Sequence, residues 1–468
     1  MTDLPQVPTI AEASRLIEAK AMSPVELAEL CLRRIRAFDD RLHSFLLVTE
    51  EVALAAARRA ETEIAAGRRR GPLHGIPVGL KDIYATKGIR TTAHSRILAD
   101  NVPVEDSTGA ARLAEAGTVL MGKLATHEFA MGGPSFDIPW PPARNPWNTE
   151  HFTGGSSSGS GAAVAAGFVL GATGTDTGGS IRNPSAFCGI VGVKPTYGLV
   201  SRHGILPLAF TLDHAGPMAM TVEDCAILLQ AMSGHDGRDP ASAQVPIPDY
   251  RAALRQDLKG IRIGVLRHFH EDEAPVDAEV KSAVEAALKT MGELGAEIRD
   301  VRLPPLADFN ACAIVIALTE AFAIHAKELK TRFNDYGDSL RDRLALATLI
   351  SGPDYVQAIR LRHELVAGTS AAMQGVDILV TAASSGPAPR IDGVDKYGMF
   401  KRHSLAMPFN LTGLPVVTVP CGFSATGLPF GLQIVGHPFA DATAMAVAHA
   451  YEQAAPWRLR RPALPPKP

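Results

Sequence analysis

Between Leu27 and Phe38 the apolar residues fall at Leu27, Leu30, Cys31, Ile35 and Phe38, the three-and-four spacing that lays one stripe along one face of a helix. Two start signals accompany it. Thr9 is followed three residues later by Glu12, and Ser23 by Glu26; in each pair a hydroxyl can take the N3 amide while the carboxylate takes the cap amide. Pro24 sits at a first helical position, where its missing N–H costs nothing. A third helix, rich in Ala, Glu and Arg, is predicted over 51–68, so residues 1–70 read as an N-terminal helical arm. From Gly71 the texture changes. Ile76-Pro77-Val78-Gly79-Leu80 is a short apolar run ending on Lys81-Asp82, and a helical stretch over 110–116 leads through Gly117 into another apolar run at 118–121. Runs at 261–266, 377–381, 414–420 and 430–435 read as strands, and 276–294 and 441–453 as helices. This alternation predicts an α/β fold with a mixed central sheet sandwiched by helices.

The expected organisation is one domain over 1–468: the arm (1–70), a core that carries the chemistry (71–200), an insertion with helices around a substrate pocket (261–390), and the C-terminal part of the core (391–468). The stretch 314–373 has little recognisable pattern and is assigned to the rest of the pocket. No repeat at solenoid periods is visible, and the proline-rich ends, 5–8 and 462–468, read as loose tails.

Composition narrows the function classes. With 46% hydrophobic and 20% charged residues among 468, the chain has the apolar content to bury a large core. A formal charge of −3 offers no pull toward nucleic acid or an anionic membrane, and the basic run Arg68-Arg69-Arg70 reads as a solvated helix end. The five cysteines are scattered, with no C-x-x-C pair and no zinc-type spacing. They read as small buried hydrophobes in a reducing, cytoplasmic setting, with no metal and no cofactor expected. Thr2, Asp3 and Pro5 do not resemble the start of a signal peptide, and the apolar run 161–172 is short of the ~18 residues of a membrane span.

The chemistry concentrates in 153–195, where two Gly/Ser clusters abut strongly apolar segments rather than linker sequence. Glycines in such places mark close backbone approach or positive φ. Ser180, at the end of Asp176-Thr177-Gly178-Gly179-Ser180, is a candidate nucleophile with glycines beside it that let backbone amides converge on an oxyanion. Ser156 or Ser157 is placed to relay its proton. Lys81 is the candidate base, because a lysine closing an apolar run is buried, and burial disfavours the ammonium form.

These residues resemble the amidase-signature family. The resemblance rests on the stretch Gly154 to Gly161, on Gly174-Thr175-Asp176-Thr177-Gly178-Gly179-Ser180-Ile181-Arg182 with its continuation to Gly189, on Gly192-Val193-Lys194-Pro195-Thr196, and on Leu73-His74-Gly75-Ile76-Pro77 leading to Lys81-Asp82. It implies a Ser-Ser-Lys triad in which Ser180 forms an acyl-enzyme and Ser156, after a cis peptide bond, bridges it to Lys81. It further implies an oxyanion hole from the N–H groups of Thr177, Gly178, Gly179 and Ser180, with Ser157 holding the lysine and Asp176 and Arg182 supporting the loop. Met131, Gly132 and Gly133 occupy the place of the acyl pocket. The reading that follows is an amidase acting on small aryl or alkyl carboxamides as a free chain or a homodimer, with no nucleic-acid or membrane partner.

Two alternatives compete. Gly155-Ser156-Ser157-Ser158-Gly159 satisfies G-x-S-x-G, which would make Ser157 a nucleophile, but that motif needs a strand before it and 145–151 reads as polar turn. No lysine stands three residues after any of these serines. Within the family the alternative is the glutamine-hydrolysing subunit of a tRNA-dependent amidotransferase, which Tyr197-Gly198-Leu199-Val200-Ser201-Arg202 resembles. Such subunits carry a Ser-Ser-Leu-Asp-Gln run where this chain has Phe210-Thr211-Leu212-Asp213-His214. The departure favours the free amidase. His151, His203 and His214 are expected to be structural or pocket-lining.

Overall fold

The computed structural model describes residues 4–464. Among them, eleven strands form one mixed sheet. Its order runs Phe45–Val48, Val119–Leu124, Pro77–Lys81, Gly171–Asp176, His214–Ala219, Val191–Lys194, Val416–Phe423, Pro429–Gly436, Ile378–Ala382, Arg262–Val265, Glu297–Asp300. Pro77–Lys81 is parallel to both its neighbours, the strands through the middle pair antiparallel, and Ile378–Ala382, Arg262–Val265 and Glu297–Asp300 are again parallel. Pro77–Lys81, Gly171–Asp176, Ile378–Ala382 and Pro429–Gly436 are buried at every position. Ile378–Ala382 reads as an apolar run rather than an alternation, as strands covered on both faces do, whereas Gly171–Asp176 is buried with small and polar residues.

Ser158–Ala165 and Arg182–Cys188 pack on each other and on the sheet, while Val222–Met232, Ile10–Glu18 and Asp441–Ala454 form another packed group. Both anticipated capping boxes are formed, Thr9 with Glu12 and Ser23 with Glu26. The strands predicted at 261–266, 377–381, 414–420 and 430–435 and the helices at 276–294 and 441–453 are present with small shifts at their ends.

Three features differ from expectation. The helical N-terminal stretch contains the strand Phe45–Val48, which pairs antiparallel with Val119–Leu124; a four-residue run between helices is too short to show a period. The patternless 314–373 region holds two long helices, Leu306–Thr331 and Gly352–Ala372, packed together. By length and composition Leu306–Thr331 could cross a membrane, and half of its most apolar window is buried inside the fold. The ends are less loose than expected: the Pro5 carbonyl accepts from Arg34 Nη1 at 3.1 Å and Pro462 is buried, while 465–468 lie outside the described residues.

Candidate active site

Lys81 ends the strand Pro77–Lys81, and its side chain is wholly buried. Its Nζ lies 2.8 Å from Ser156 Oγ, 3.0 Å from Ser157 Oγ and 2.8 Å from Thr175 Oγ1. Burial pushes the lysine down to about 7, and the negative charges of Asp176 and Asp213 oppose part of that fall. A neutral amine has two N–H donors and one lone pair, so three hydroxyl neighbours satisfy it when one of them donates to nitrogen. Ser157 Oγ donates to the Thr175 carbonyl at 3.3 Å. The Ser156 and Thr175 hydroxyls have no other bond among the described residues, so either can donate to the lysine nitrogen.

Ser156 follows Gly155 through a cis peptide bond, as the resemblance implied. A Cβ on Gly155 would stand 2.1 Å from the His127 ring, so only glycine fits there. The Ser156 carbonyl accepts from the His127 N–H at 3.0 Å. Burial holds the His127 imidazole down at about 3, which keeps it neutral.

Ser180 is half-buried; its carbonyl accepts from the Ser157 N–H at 3.2 Å, which ties the two serine loops together. The Ser180 hydroxyl makes no hydrogen bond to the described residues, Ser156 included. Of the four loop amides expected at the oxyanion position, one is already spent: Gly179, at φ +123°, donates its N–H to Asp176 Oδ1 at 2.8 Å. The N–H groups of Thr177, Gly178 and Ser180 show no partner among the described residues and are the ones left for an oxyanion.

The loop is anchored from below by a buried ion pair. Asp176 and Arg182 are fully buried with Arg182 Nη2 at 2.8 Å from Asp176 Oδ1. Burial works to raise the Asp176 carboxyl, yet the Arg182 guanidinium and its hydrogen bonds hold it well below the usual carboxylate range. Arg182 also donates to the Ala406 carbonyl at 2.8 Å and to Gln433 Oε1 at 2.9 Å, and Asn410 Nδ2 donates to the Asp176 carboxylate at 2.9 Å. Thr175, Asn410 and Gln433 were not anticipated. A threonine in a strand carries no signal of its own, and the other two lie more than 200 residues from the loop. Asp176→Asn leaves the Arg182 charge buried without its counter-ion and is expected to destabilise the fold by about 3–5 kcal/mol, read from urea unfolding at neutral pH. An unchanged midpoint would mean the pair does not anchor the loop.

A cavity of about 450 Å³ is lined by Ala130, Thr175, Thr177, Phe210, Asp213 and His214 among others. Met131 and Gly132 line neither this cavity nor a much smaller one beside His127, which Gly133 borders. Phe129 and Ala130 both hold positive φ (47° and 62°), and the neighbouring Glu128 carboxyl, buried against Ser95 Oγ at 2.6 Å and the Gly337 N–H at 2.8 Å, is pushed up to about 7 by that burial. The segment 128–130 is thus a tightly held bend. His203 and His214 line the larger cavity, and His151 Nδ1 lies 2.7 Å from the Ala388 carbonyl.

The G-x-S-x-G alternative meets two facts. A short strand, Asn148–Phe152, does precede the motif where polar turn was expected, but it belongs to a two-stranded ribbon outside the main sheet. The Ser157 hydroxyl is fully buried and committed to Lys81 and Thr175. An elbow nucleophile has to be exposed at the top of its sheet.

Comparison with known proteins agrees with this geometry. The Amidase family model matches residues 26–445. A protein of Geobacter metallireducens named as a subunit of glutamyl-tRNA(Gln) amidotransferase is 41% identical over 479 residues, covering 97% of this chain and 98% of that protein. A solved structure from a vestigial protein complex bearing on the origins of an s-triazine catabolic enzyme superposes with TM-score 0.89 at 32% identity, covering 96% of this chain and 99% of that one. The native peptide amidase of Stenotrophomonas maltophilia gives TM-score 0.85 at 32% identity, over 97% and 98% of the two chains. With matching motifs, fold and relatives along nearly its whole length, the chain belongs to the amidase-signature family and is a hydrolase that opens carboxamide bonds through a serine nucleophile.

Proposed function

We propose that Ser180, Ser156 and Lys81 carry the reaction, and that the amide opened is the side-chain carboxamide of glutamine. The observation that carries the triad is the buried lysine nitrogen held among three hydroxyls. Ser180 Oγ attacks the carbonyl carbon while its proton passes to Ser156 and the Ser156 proton to Lys81. The N–H groups of Thr177, Gly178 and Ser180 receive the oxyanion. Collapse breaks the C–N bond as Lys81 returns its proton through Ser156 to the departing nitrogen, which leaves as ammonia. Water then attacks the acyl-enzyme, losing a proton along the same route, and Ser180 is regenerated with the carboxylic acid product. Asp176, Arg182 and Ser157 hold these parts in register.

Support for glutamine comes from curated relatives named as glutamyl-tRNA(Gln) amidotransferase subunits, which are alike over 97% of this chain. A second reading, hydrolysis of small neutral aryl or alkyl carboxamides by the chain alone, is favoured by one feature. The Phe210 to His214 stretch, where the sequence departs from those subunits, lines the large cavity through Phe210, Thr211, Asp213 and His214. The test is ammonia release by the purified chain from glutamine, benzamide and phenylacetamide, each with and without tRNA, ATP and candidate partner proteins. The expected result is a kcat/KM for glutamine at least ~10-fold above the aryl amides, since a site built to bond a substrate's polar groups rejects analogues lacking them. Better turnover of benzamide by the chain alone would put the second reading in its place.

A further inference from the structure

Asp213 lies between the large cavity and the loop that ends in Ser180. Thr177 Oγ1 donates to its Oδ1 at 2.6 Å, the Leu208 N–H to Oδ2 at 2.9 Å, and the Ala209 N–H to both oxygens at 3.1 Å. The Leu208 and Ala209 N–H groups can only donate, so they favour the carboxylate against the upward push of burial on this side chain. Three of these bonds come from 208–213 itself and make a rigid cradle; the fourth reaches across to the one residue of the 177–180 loop, apart from the nucleophile, whose side chain can be gripped. Asp176 already pins that loop at Gly179 and Ile181 from the opposite end. From these contacts we infer that Asp213 is a positioning residue of the reaction, holding Thr177 and with it the loop amides that receive the oxyanion. The inference rests on the Ser180 reading above.

The same carboxylate acts a second time, through space. Lys81 faces three hydroxyls, the neutral His127 and two negative charges, Asp176 and Asp213. Asp176 is neutralised by Arg182 at 2.8 Å. Around Asp213 stand Thr177, a neutral His214 and Arg202, whose Nη1 donates to the Phe210 carbonyl and, at 3.4 Å, to the Asp213 carbonyl rather than its carboxylate, and whose guanidinium is held by Asp239 at 3.2 Å. Arg238 is taken by Asp236. Asp213, whose carboxyl burial pushes up and whose hydrogen bonds and Arg202 pull down, bears on the lysine with no guanidinium bonded to its own carboxylate oxygens.

The experiment uses the full chain with its best amide substrate. Asp213→Asn is expected to lower kcat by ~10²-fold, the effect of misplacing reacting groups by about an ångström, with KM changed less than ~3-fold. Removing a negative charge also favours the neutral lysine, so the acid limb of the kcat profile should move to lower pH. Thr177→Val cuts the grip and leaves the charge, so kcat should fall by ~10-fold or more with the acid limb in place. Asp213→Glu, which keeps the charge, should likewise leave the limb where it is. A loss of kcat in Asp213→Asn without movement of the limb would reduce Asp213 to a structural residue, and wild-type kcat in either Asp213→Asn or Thr177→Val would overturn the inference. If Asp213→Asn does not fold, the Thr177→Val and Asp213→Glu pair decides alone. Ser180→Ala run beside them separates the two levels: turnover surviving in Ser180→Ala sinks the nucleophile assignment, whereas a dead Ser180→Ala with an unaffected Thr177→Val sinks only the role of Asp213.

Discussion

Ser180→Ala is expected to lower ammonia release from any carboxamide by ~10⁴-fold or more, with the urea midpoint unchanged. The Ser180 hydroxyl has no partner to lose among the described residues, and the residue is half-buried at the edge of the site, so truncation removes the acyl carrier without opening a cavity. No other side chain in the cluster can take over: Ser157 is committed to Lys81 and to the Thr175 carbonyl, and Ser156 is 2% exposed and bonded to Lys81. A serine-directed fluorophosphonate should label the peptide that contains Ser180 and no other. Label on Ser157 would transfer the nucleophile to the G-x-S-x-G motif.

Lys81→Met should be nearly as damaging to catalysis, by ~10³–10⁴-fold, and should act on stability in the opposite direction. In the wild-type chain amide hydrolysis needs the neutral lysine, so activity is expected to rise as pH climbs through about 7, the value to which burial pushes Lys81. The loss in Lys81→Met should be greater on amides than on matched esters, because the poorer leaving group depends on the proton the lysine returns. For stability the sign follows from the depressed value. Above about pH 10.4 the lysine is neutral in both folded and unfolded chains and contributes nothing. As pH falls from there to about 7, the unfolded chain binds a proton the folded one refuses, so folding is progressively penalised, and below about 7 the penalty stays constant. Methionine removes that penalty while orphaning the Ser156 and Thr175 hydroxyls, and a net gain of about 1–3 kcal/mol at pH 7 is expected by urea unfolding. A destabilised Lys81→Met would mean that the lysine is charged and paired in the resting fold.

What could be seen before the structure, and what could not, divides along physical lines. Lys81 stood out because a lysine that closes an apolar run has nowhere to go but inward, and the two serine loops stood out because glycines beside apolar segments have to serve close approach. Thr175 was invisible: in the strand Gly171–Asp176 a threonine is an ordinary β-former, and its hydroxyl matters only because Lys81 on the neighbouring strand points at it. The commitment of the Gly179 N–H to Asp176 is a matter of one peptide's orientation, which composition does not carry. Leu306–Thr331 escaped because its buried side includes Asn310, Glu320 and His325, which break the apolar stripe. Each is satisfied inside the fold, Asn310 by the Leu306 and Ser404 carbonyls, Glu320 by Thr211 and Tyr355, His325 by Tyr336.

The anchoring of Arg182 by Asn410 and Gln433 has a consequence for how the protein is made. The two serine loops and the lysine are all synthesised by residue 182, yet the guanidinium that braces the loop finds its partners only after Asn410 and then Gln433, on the strand Pro429–Gly436, have been translated. Until that strand inserts beside Val416–Phe423, Arg182 lacks its bond to Gln433. A nascent chain still missing its last hundred residues would carry Lys81, Ser156 and Ser180 but none of the Ala406, Asn410 and Gln433 contacts to Arg182. The bracing of the loop is therefore completed late in synthesis, long after the residues it braces.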